Sequence, residues 1–100
     1  CLPHVAAFNM NAAPEKYARV ARAMGYHVDG LSTLDAARKA VTAIRELCAD
    51  LNVPSRLRDA GVTAERHEEM AQLCTEANYN RWNPRHTTTA DFLELFQKAH

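Results

Sequence analysis

The sequence has few of the residues on which recognisable catalytic motifs depend. Its 100 residues include only three glycines and two serines. Three scattered glycines cannot build the glycine-rich loop that binds phosphate groups. Ser32 and Ser55 stand outside the Gly-x-Ser-x-Gly context of a nucleophilic serine. We therefore expect no nucleophilic serine and no glycine-rich phosphate-binding turn in this chain.

Cysteine is also scarce. Cys1, Cys48 and Cys74 are odd in number and far apart, and no Cys-x-x-Cys pair occurs. This pattern indicates neither a disulfide framework nor a zinc motif. Cys48 and Cys74 fall on apolar helix faces, where a free thiol behaves as a small hydrophobic group. We expect free thiols and a reducing compartment, the cytoplasm.

The chain has no excess of charge and no long apolar run. Twelve basic and twelve acidic residues cancel, so nothing favours nucleic acid or an anionic membrane as a partner. No apolar stretch approaches the roughly 18 residues of a membrane span. A basic segment followed by an apolar core, as in a secretory signal, is missing too. We expect no nucleic-acid or membrane partner.

The histidines do not have the spacing of metal ligands. No two of them stand four residues apart, and no His-Glu-x-x-His motif occurs. His67 is followed by Glu68 and Glu69, which predicts a charged, solvated helix face. We expect no metal site built from the five histidines, which are His4, His27, His67, His86 and His100.

The apolar pattern predicts helices throughout. No stretch alternates with period two, and β-branched residues are scattered. We predict an all-α fold of five or six helices packed around a central amphipathic helix at about residues 33–52. Ser32 or Thr33 caps this helix, and Pro54 lies just past its end. Its expected apolar face comprises Leu34, Ala37, Ala40, Val41, Ile44, Leu47, Cys48 and Leu51.

The other helices have their own start and stop signals. Pro14 suits a first helical position, and Gly25 suits a left-handed cap. Thr63 is expected to cap a later helix, and Thr88 with Asp91 forms a capping-box-like pair before the closing one. The expected apolar faces are Tyr17, Val20, Ala21 and Met24, then Met70, Leu73, Cys74 and Ala77, then Phe92, Leu95, Phe96 and Ala99.

Residues 78–86 interrupt the helical pattern with large and polar side chains. Loops that combine Tyr, Trp, Asn and Arg are often binding surfaces, because the rings supply area and the polar ends supply direction. In the alternative interpretation, Trp82 fills a gap between the last two helices and Asn83-Pro84-Arg85 makes the turn. The residues alone leave both interpretations open.

Five short motifs follow one another along the whole chain. They are Leu2-Pro3-His4-Val5 with Phe8-Asn9, Pro14–Tyr17 (PEKY), Gly30–Ala37 (GLSTLDAA), Val53–Val62 (VPSRLRDAGV) and Asn83–Arg85 (NPR). In this order they resemble the C-terminal helical region of the iron-containing (group III) alcohol dehydrogenases. The resemblance implies a parent enzyme whose α/β domain binds NAD or NADP. Its helical domain holds Fe²⁺, or sometimes Zn²⁺, on an Asp and three His.

In that family the metal ligands lie upstream of the part that this chain resembles. The last ligand stands in a Pro-His-Gly motif shortly before the segment similar to Leu2-Pro3-His4-Val5, so no ligand role passes to His4. The resemblance also implies that Tyr79, Asn80 and Trp82 line the substrate cleft. The family often has small residues or a Cys at that point, so the large rings are a departure from its pattern.

The resemblance predicts that residues 1–100 are a partial C-terminal all-α domain of an alcohol-dehydrogenase-like protein. Such a segment closes the helical domain and the substrate cleft, binds no cofactor or metal alone, and is not catalytic alone. The sequence begins at Cys1 as if inside a structure, so we expect a fragment. The alternative is a stand-alone helical binding or oligomerisation module derived from that family. The expected partner is the remainder of the parent enzyme or a copy of this chain, as in a homo-oligomer.

Overall fold

The computed structural model describes residues 1–100 and contains five α-helices and no β-strand. The helices are α1 (Leu2–Asn9), α2 (Pro14–Ala23), α3 (Thr33–Asp50), α4 (His67–Glu76) and α5 (Thr89–Ala99). Short 3₁₀ segments occupy Leu57–Ala60, Ala64–Arg66 and Asn78–Trp82. The predicted all-α class is confirmed. None of the helices combines the length and apolarity that crossing a membrane requires.

The helices form two compact units. The first unit, Leu2–Val53, contains α1 and α2, and both pack against α3. The second unit, Pro54–His100, contains α4 packed against α5, and Cys1 is grouped with it. The central position predicted for the helix near residues 33–52 is thus filled by α3 within its own unit.

Helix α2 begins and ends where its sequence signals predict. Pro14 is its first residue, where the missing N–H leaves no hydrogen bond unmade. Beyond its end, Gly25 has φ of +92°. The N–H of Gly25 donates to the Arg22 carbonyl at 3.0 Å, and the N–H of Tyr26 donates to the Ala21 carbonyl at 3.0 Å. These two bonds form a Schellman cap, which satisfies carbonyls that the helix leaves free.

Helix α3 is capped by a side-chain hydrogen bond at its start and by a backbone hydrogen bond at its end. The Ser32 hydroxyl accepts the N–H of Asp35 at 3.1 Å, as the sequence predicted. The helix ends at Asp50, two residues earlier than predicted, because Asn52 adopts φ of +55°. The Val53 N–H then donates to the Cys48 carbonyl at 2.9 Å. Asparagine tolerates this left-handed conformation better than most residues, so it replaces glycine as the cap.

The buried face of α3 is made of alanine more than of leucine. Ala37 and Ala40 are fully buried, whereas Leu47 is 47% and Leu51 66% exposed. Placing those two leucines in the core was therefore wrong. Ile44 is half-buried. Residues buried here without being predicted are Ala36 and Ala43.

The contact between α2 and α3 explains why alanines, and not Leu47 and Leu51, are buried on α3. Ala21 of α2 packs in one cluster with Val28 and with Ala36 and Ala40 of α3. Small side chains let two helices approach closely along their contact. Val20, predicted to face inward, is 38% exposed instead. Close alanine packing therefore fixes which face of α2 is buried.

The buried face of α4 also differs from the prediction. Leu73 is 59% exposed, whereas His67 is 4% exposed and Ala71 is fully buried. The ring centre of His67 lies 6.2 Å from that of Phe96 and 4.9 Å from that of His100. The solvated face predicted at His67 is wrong, because His67 shares one side of α4 with Ala71, four residues on. Glu68 and Glu69 are exposed as expected.

Helix α5 begins with the predicted capping box. The Thr88 hydroxyl accepts the N–H of Asp91 at 3.2 Å, and the Asp91 carboxylate accepts the N–H of Thr88 at 2.9 Å. The backbone N–H of Thr88, followed by its hydroxyl, lowers the pKa of Asp91 from the usual 3.8. The ionised carboxylate of Asp91 therefore stabilises the folded state.

This cap gives a pH-dependent prediction. Thr88→Ala is expected to cost about 1 kcal/mol of unfolding free energy at pH 7, as for other N-cap losses. Because the folded pKa of Asp91 is lowered, the carboxylate's contribution is full above pH 3.8 and is lost as pH falls through the folded pKa. Urea unfolding of the original chain and the variant at pH 7 and pH 3 measures the change in unfolding free energy. The control is Thr63→Ala, since Thr63 holds a cap position without a side-chain hydrogen bond. Equal losses at Thr63 and Thr88 would contradict the prediction.

Candidate functional site

The three predicted cleft residues lie in one short segment. Tyr79, Asn80 and Trp82 all belong to the 3₁₀ segment Asn78–Trp82, which connects α4 to α5 within the second unit. We call this segment the aromatic turn. Its single helical turn brings the three residues together, where a loop was predicted.

Asn80 anchors the aromatic turn to the end of α4. Its side-chain amide nitrogen donates to the Cys74 carbonyl at 2.5 Å and lies 3.4 Å from the Thr75 carbonyl. These carbonyls belong to the last turn of α4, where backbone acceptors have no partner inside the helix. The amide nitrogen of Asn80 is therefore directed at the helix, so this residue positions the turn.

Tyr79 and Trp82 are the exposed members of the turn. Tyr79 is 64% exposed and Trp82 68% exposed. The interpretation in which Trp82 fills a gap between helices is therefore wrong. The guanidinium carbon of Arg81 lies 4.1 Å from the centre of the Trp82 ring, a cation–π contact worth about 0.5–1 kcal/mol at an exposed site. This contact restricts the ring, and the adjacent Arg-Trp pair in the sequence could have signalled it.

The segment between the aromatic turn and α5 is also held by hydrogen bonds. The Asn83 side-chain amide donates to the Arg85 carbonyl at 2.7 Å, a local bond typical of asparagine in turns. The hydroxyls of Thr75 and Thr89 lie 2.8 Å apart and join the end of α4 to the start of α5. Exposed rings on an anchored backbone are suited to contacting a ligand or another part of a protein.

The structure shows neither a cluster of metal ligands nor an activated thiol near the turn. No group of three or more His, Cys, Asp or Glu side chains in the chain is arranged to hold a metal ion. Burial raises the pKa of the nearby Cys74 thiol, which keeps it protonated and poorly nucleophilic. Cys1, Cys48 and Cys74 are all free. The aromatic turn thus provides contact area and shape, and the chain does not provide a fitting ligand set for catalytic iron.

Comparison with known proteins matches the whole chain to one protein family. The family model for the C-terminal region of the Fe-containing alcohol dehydrogenases matches residues 1–100. The chain is 43% identical over 98 residues to 1,3-propanediol dehydrogenase of Citrobacter freundii. It is 39% identical over 98 residues to lactaldehyde reductase of Escherichia coli K12. These alignments cover 98% of the chain and 25% and 26% of the two relatives.

Solved structures agree with the sequence comparison. A 1,3-propanediol oxidoreductase crystal structure matches with a TM-score of 0.96 at 41% identity. The alcohol dehydrogenase of Oenococcus oeni matches with a TM-score of 0.93 at 36% identity. Each match covers 99% of this chain and 26% of the other. The chain therefore spans about a quarter of the length of the proteins that it resembles.

Proposed function

Because the chain belongs to the iron-containing alcohol dehydrogenase family and aligns with its C-terminal part, we propose that it serves an NAD(P)-linked alcohol dehydrogenase as part of the helical domain. In the proposed reaction, hydride passes from the alcohol carbon to the nicotinamide, and the hydroxyl proton is released to solvent. The alcohol becomes a carbonyl compound, and NAD(P)⁺ becomes NAD(P)H. The observation that carries this proposal is the 43% identity over 98% of the chain.

The proposed contribution of this chain is structural and steric. Residues 1–100 complete the C-terminal helical domain, and the aromatic turn forms one wall of the substrate cleft. In the parent enzyme, residues outside this sequence would hold the metal and the dinucleotide, and the metal would act as a Lewis acid on the substrate oxygen. The match to the family's C-terminal region, over 25% of the relative's length, supports this division. The three free cysteines support the cytoplasm as the compartment.

We propose small alcohols or aldehydes as the substrate class. The relatives are named for 1,3-propanediol, lactaldehyde and methanol, which are all small. The exposed rings of Tyr79 and Trp82 favour a narrow cleft on this side, because they project from an anchored turn. Asn80 is proposed to hold that turn in place.

A chimera tests the proposed function. The matching C-terminal residues of the Citrobacter freundii 1,3-propanediol dehydrogenase are replaced by this chain, and NAD-linked oxidation of 1,3-propanediol is assayed. The 43% identity predicts that the chimera folds and turns over. The control is the same relative truncated before the exchanged region, which we expect to be inactive. A chimera that is folded by circular dichroism yet inactive would contradict the proposal.

Exposed apolar residues favour the alternative of an oligomerisation module. Leu47, Leu51 and Val53 are 47%, 66% and 48% exposed and follow one another at the end of α3. Clustered exposed apolar residues are typical of surfaces that contact another protein. We propose that this stripe is covered by the remainder of the parent enzyme, and by a second copy when the chain is alone.

Sedimentation equilibrium tests the stripe. We expect the isolated chain to dimerise with rising concentration, because association removes the three apolar side chains from water. The double variant Leu47→Asp and Leu51→Asp is expected to weaken dimerisation at least tenfold. The matched control is Arg45→Asp, an exposed position on the same helix. A chain that stays monomeric, or dimers insensitive to the double variant, would refute the role of this stripe.

A further inference from the structure

The guanidinium group of Arg81 is held in place, but its charge has no partner within the chain. Its central carbon lies 4.1 Å from the centre of the Trp82 ring. The side chain of Arg81 forms no ion pair and no hydrogen bond. Glu76, the nearest acidic residue in the sequence, instead accepts a hydrogen bond from the Gln72 side chain at 2.9 Å. The N–H donors of this exposed guanidinium are therefore available to an anion.

The other charges around the aromatic turn leave Arg81 uncompensated. Residues 78–82 contain no acidic side chain. Asp91, the next acid along the chain, already has partners, because the hydrogen bonds from Thr88 and then the charge of Arg85 lower its pKa. Arg85 thus acts on a carboxylate inside the chain, whereas no carboxylate of the chain pairs with Arg81.

The position of Arg81 suits an anion that enters from solvent beside the two exposed rings. Tyr79 is 64% and Trp82 68% exposed. Asn80 anchors this segment to the end of α4. A long side chain loses rotamer freedom when it binds a ligand, and that loss weakens binding. The contact with Trp82 restrains the guanidinium beforehand, so Arg81 binds an anion at a smaller entropic cost.

A carboxylate fits these donors better than a phosphate group. The planar fork of a guanidinium matches the two oxygens of a carboxylate and holds them through two parallel hydrogen bonds. A phosphate monoester carries a charge of about −1.5 to −2 at neutral pH, whereas Arg81 is the only cationic residue among residues 78–82. The aromatic turn therefore suits a ligand with a single carboxylate.

We propose that Arg81 binds the carboxylate of a small hydroxy acid, or of the corresponding aldehyde acid, while the opposite end of that molecule reacts. This inference rests on the proposed function, in which the aromatic turn forms one wall of the substrate cleft. The alcohol carbon passes a hydride to NAD(P)⁺, the hydroxyl proton goes to solvent, and the carboxylate keeps its charge. In this way 4-hydroxybutyrate becomes 4-oxobutyrate.

Steady-state kinetics of the chimera test this inference. The substrates are 4-hydroxybutyrate and its uncharged analogue 4-hydroxybutyramide, which have nearly the same shape. Arg81→Gln is expected to lower the kcat/KM ratio of the acid to the amide about tenfold, the effect of losing a hydrogen bond to a charged group. Arg56→Gln is the matched control, because Arg56 is exposed in the same unit but lies outside the turn. It should leave the ratio unchanged.

Ionic strength gives a second readout, which reports on the charge itself. Raising NaCl from about 50 mM to about 500 mM should lower the acid-to-amide ratio of the chimera, because salt screens the attraction between exposed charges. The ratio of the Arg81→Gln variant should change much less.

The outcomes separate this inference from the proposed function. An acid-to-amide ratio that Arg81→Gln leaves unchanged, in a chimera that oxidises 1,3-propanediol, would overturn the role of Arg81 and leave the proposed function standing. An equal salt response with and without Arg81 would do the same. A folded chimera that is inactive towards 1,3-propanediol would contradict the proposed function, and the role of Arg81 would fall with it.

Discussion

Replacing Ala40 by leucine is expected to destabilise the Leu2–Val53 unit by about 3 kcal/mol, the upper part of the range for overpacked cores. Ala40 is fully buried in the cluster with Ala21, Val28 and Ala36, where α2 and α3 meet. A leucine there must push the two helices apart or adopt a strained rotamer. A domain of this size has only about 5–15 kcal/mol in total, so the loss is large.

Urea unfolding followed by circular dichroism measures this effect. The matched control is Ala49→Leu, which makes the same change on the same helix at an exposed position. We expect the control to change the unfolding free energy by less than about 0.5 kcal/mol, as for other surface substitutions. Equal effects at positions 40 and 49 would show that α2 does not pack closely on this face of α3.

Removing the rings of the aromatic turn is expected to change the substrate preference of the enzyme that contains this chain. In the chimera described above, Tyr79→Ala and Trp82→Ala together should widen the cleft beside the substrate. We expect the kcat/KM ratio of 1-hexanol to 1,3-propanediol to rise about tenfold to a hundredfold, the usual range for changed pocket volume. The physical reason is that both rings are exposed on a turn anchored by Asn80.

Steady-state kinetics with both alcohols measures the preference. Leu73→Ala is the matched control, because Leu73 is 59% exposed and apolar but lies on α4 outside the turn. It should leave the ratio unchanged. Asn80→Ala should lower kcat/KM for both alcohols by releasing the turn, with no preference between them. A ratio that the Tyr79 and Trp82 substitutions leave unchanged would remove the turn from the cleft.

Most helix ends were predictable from the sequence because their causes are local, although the cap expected at Thr63 was wrong, since its side chain makes no capping hydrogen bond. Pro14, Ser32, Thr88 and Gly25 act through bonds within a few residues, and the structure shows each in its expected role. The end of α3 was missed by two residues, because Asn52 adopts a left-handed conformation that glycine usually adopts.

Buried faces were less predictable because they depend on the partner helix. A periodic pattern gives large leucines more weight than alanines, yet Ala40 is fully buried and Leu51 is 66% exposed. The close contact between α2 and α3 decides which residues are buried, and the pattern of one helix alone does not predict that contact. His67 was missed for the same reason, since its burial depends on Phe96 and His100 some thirty residues away.

The candidate site was located from the sequence only by family resemblance. Composition identified residues 78–86 as unusual but left open whether Trp82 was buried or exposed. The sequence did not reveal which residues of the turn are anchored and which are exposed. In the structure, Asn80 bonds to α4, while Tyr79 and Trp82 are exposed. Side-chain roles of this kind depend on turn geometry, because a 3₁₀ turn decides which neighbours point the same way.

We propose that this chain shapes an alcohol dehydrogenase whose reactive centre lies on other residues. The most direct test is NADH formation by the purified 11.2 kDa chain with 1,3-propanediol, NAD⁺ and Fe²⁺, assayed beside the chimera. We predict NADH from the chimera and none above background from the chain alone, with zinc in place of iron giving the same contrast. Turnover by the chain alone, after its intact mass has been confirmed, would contradict the account.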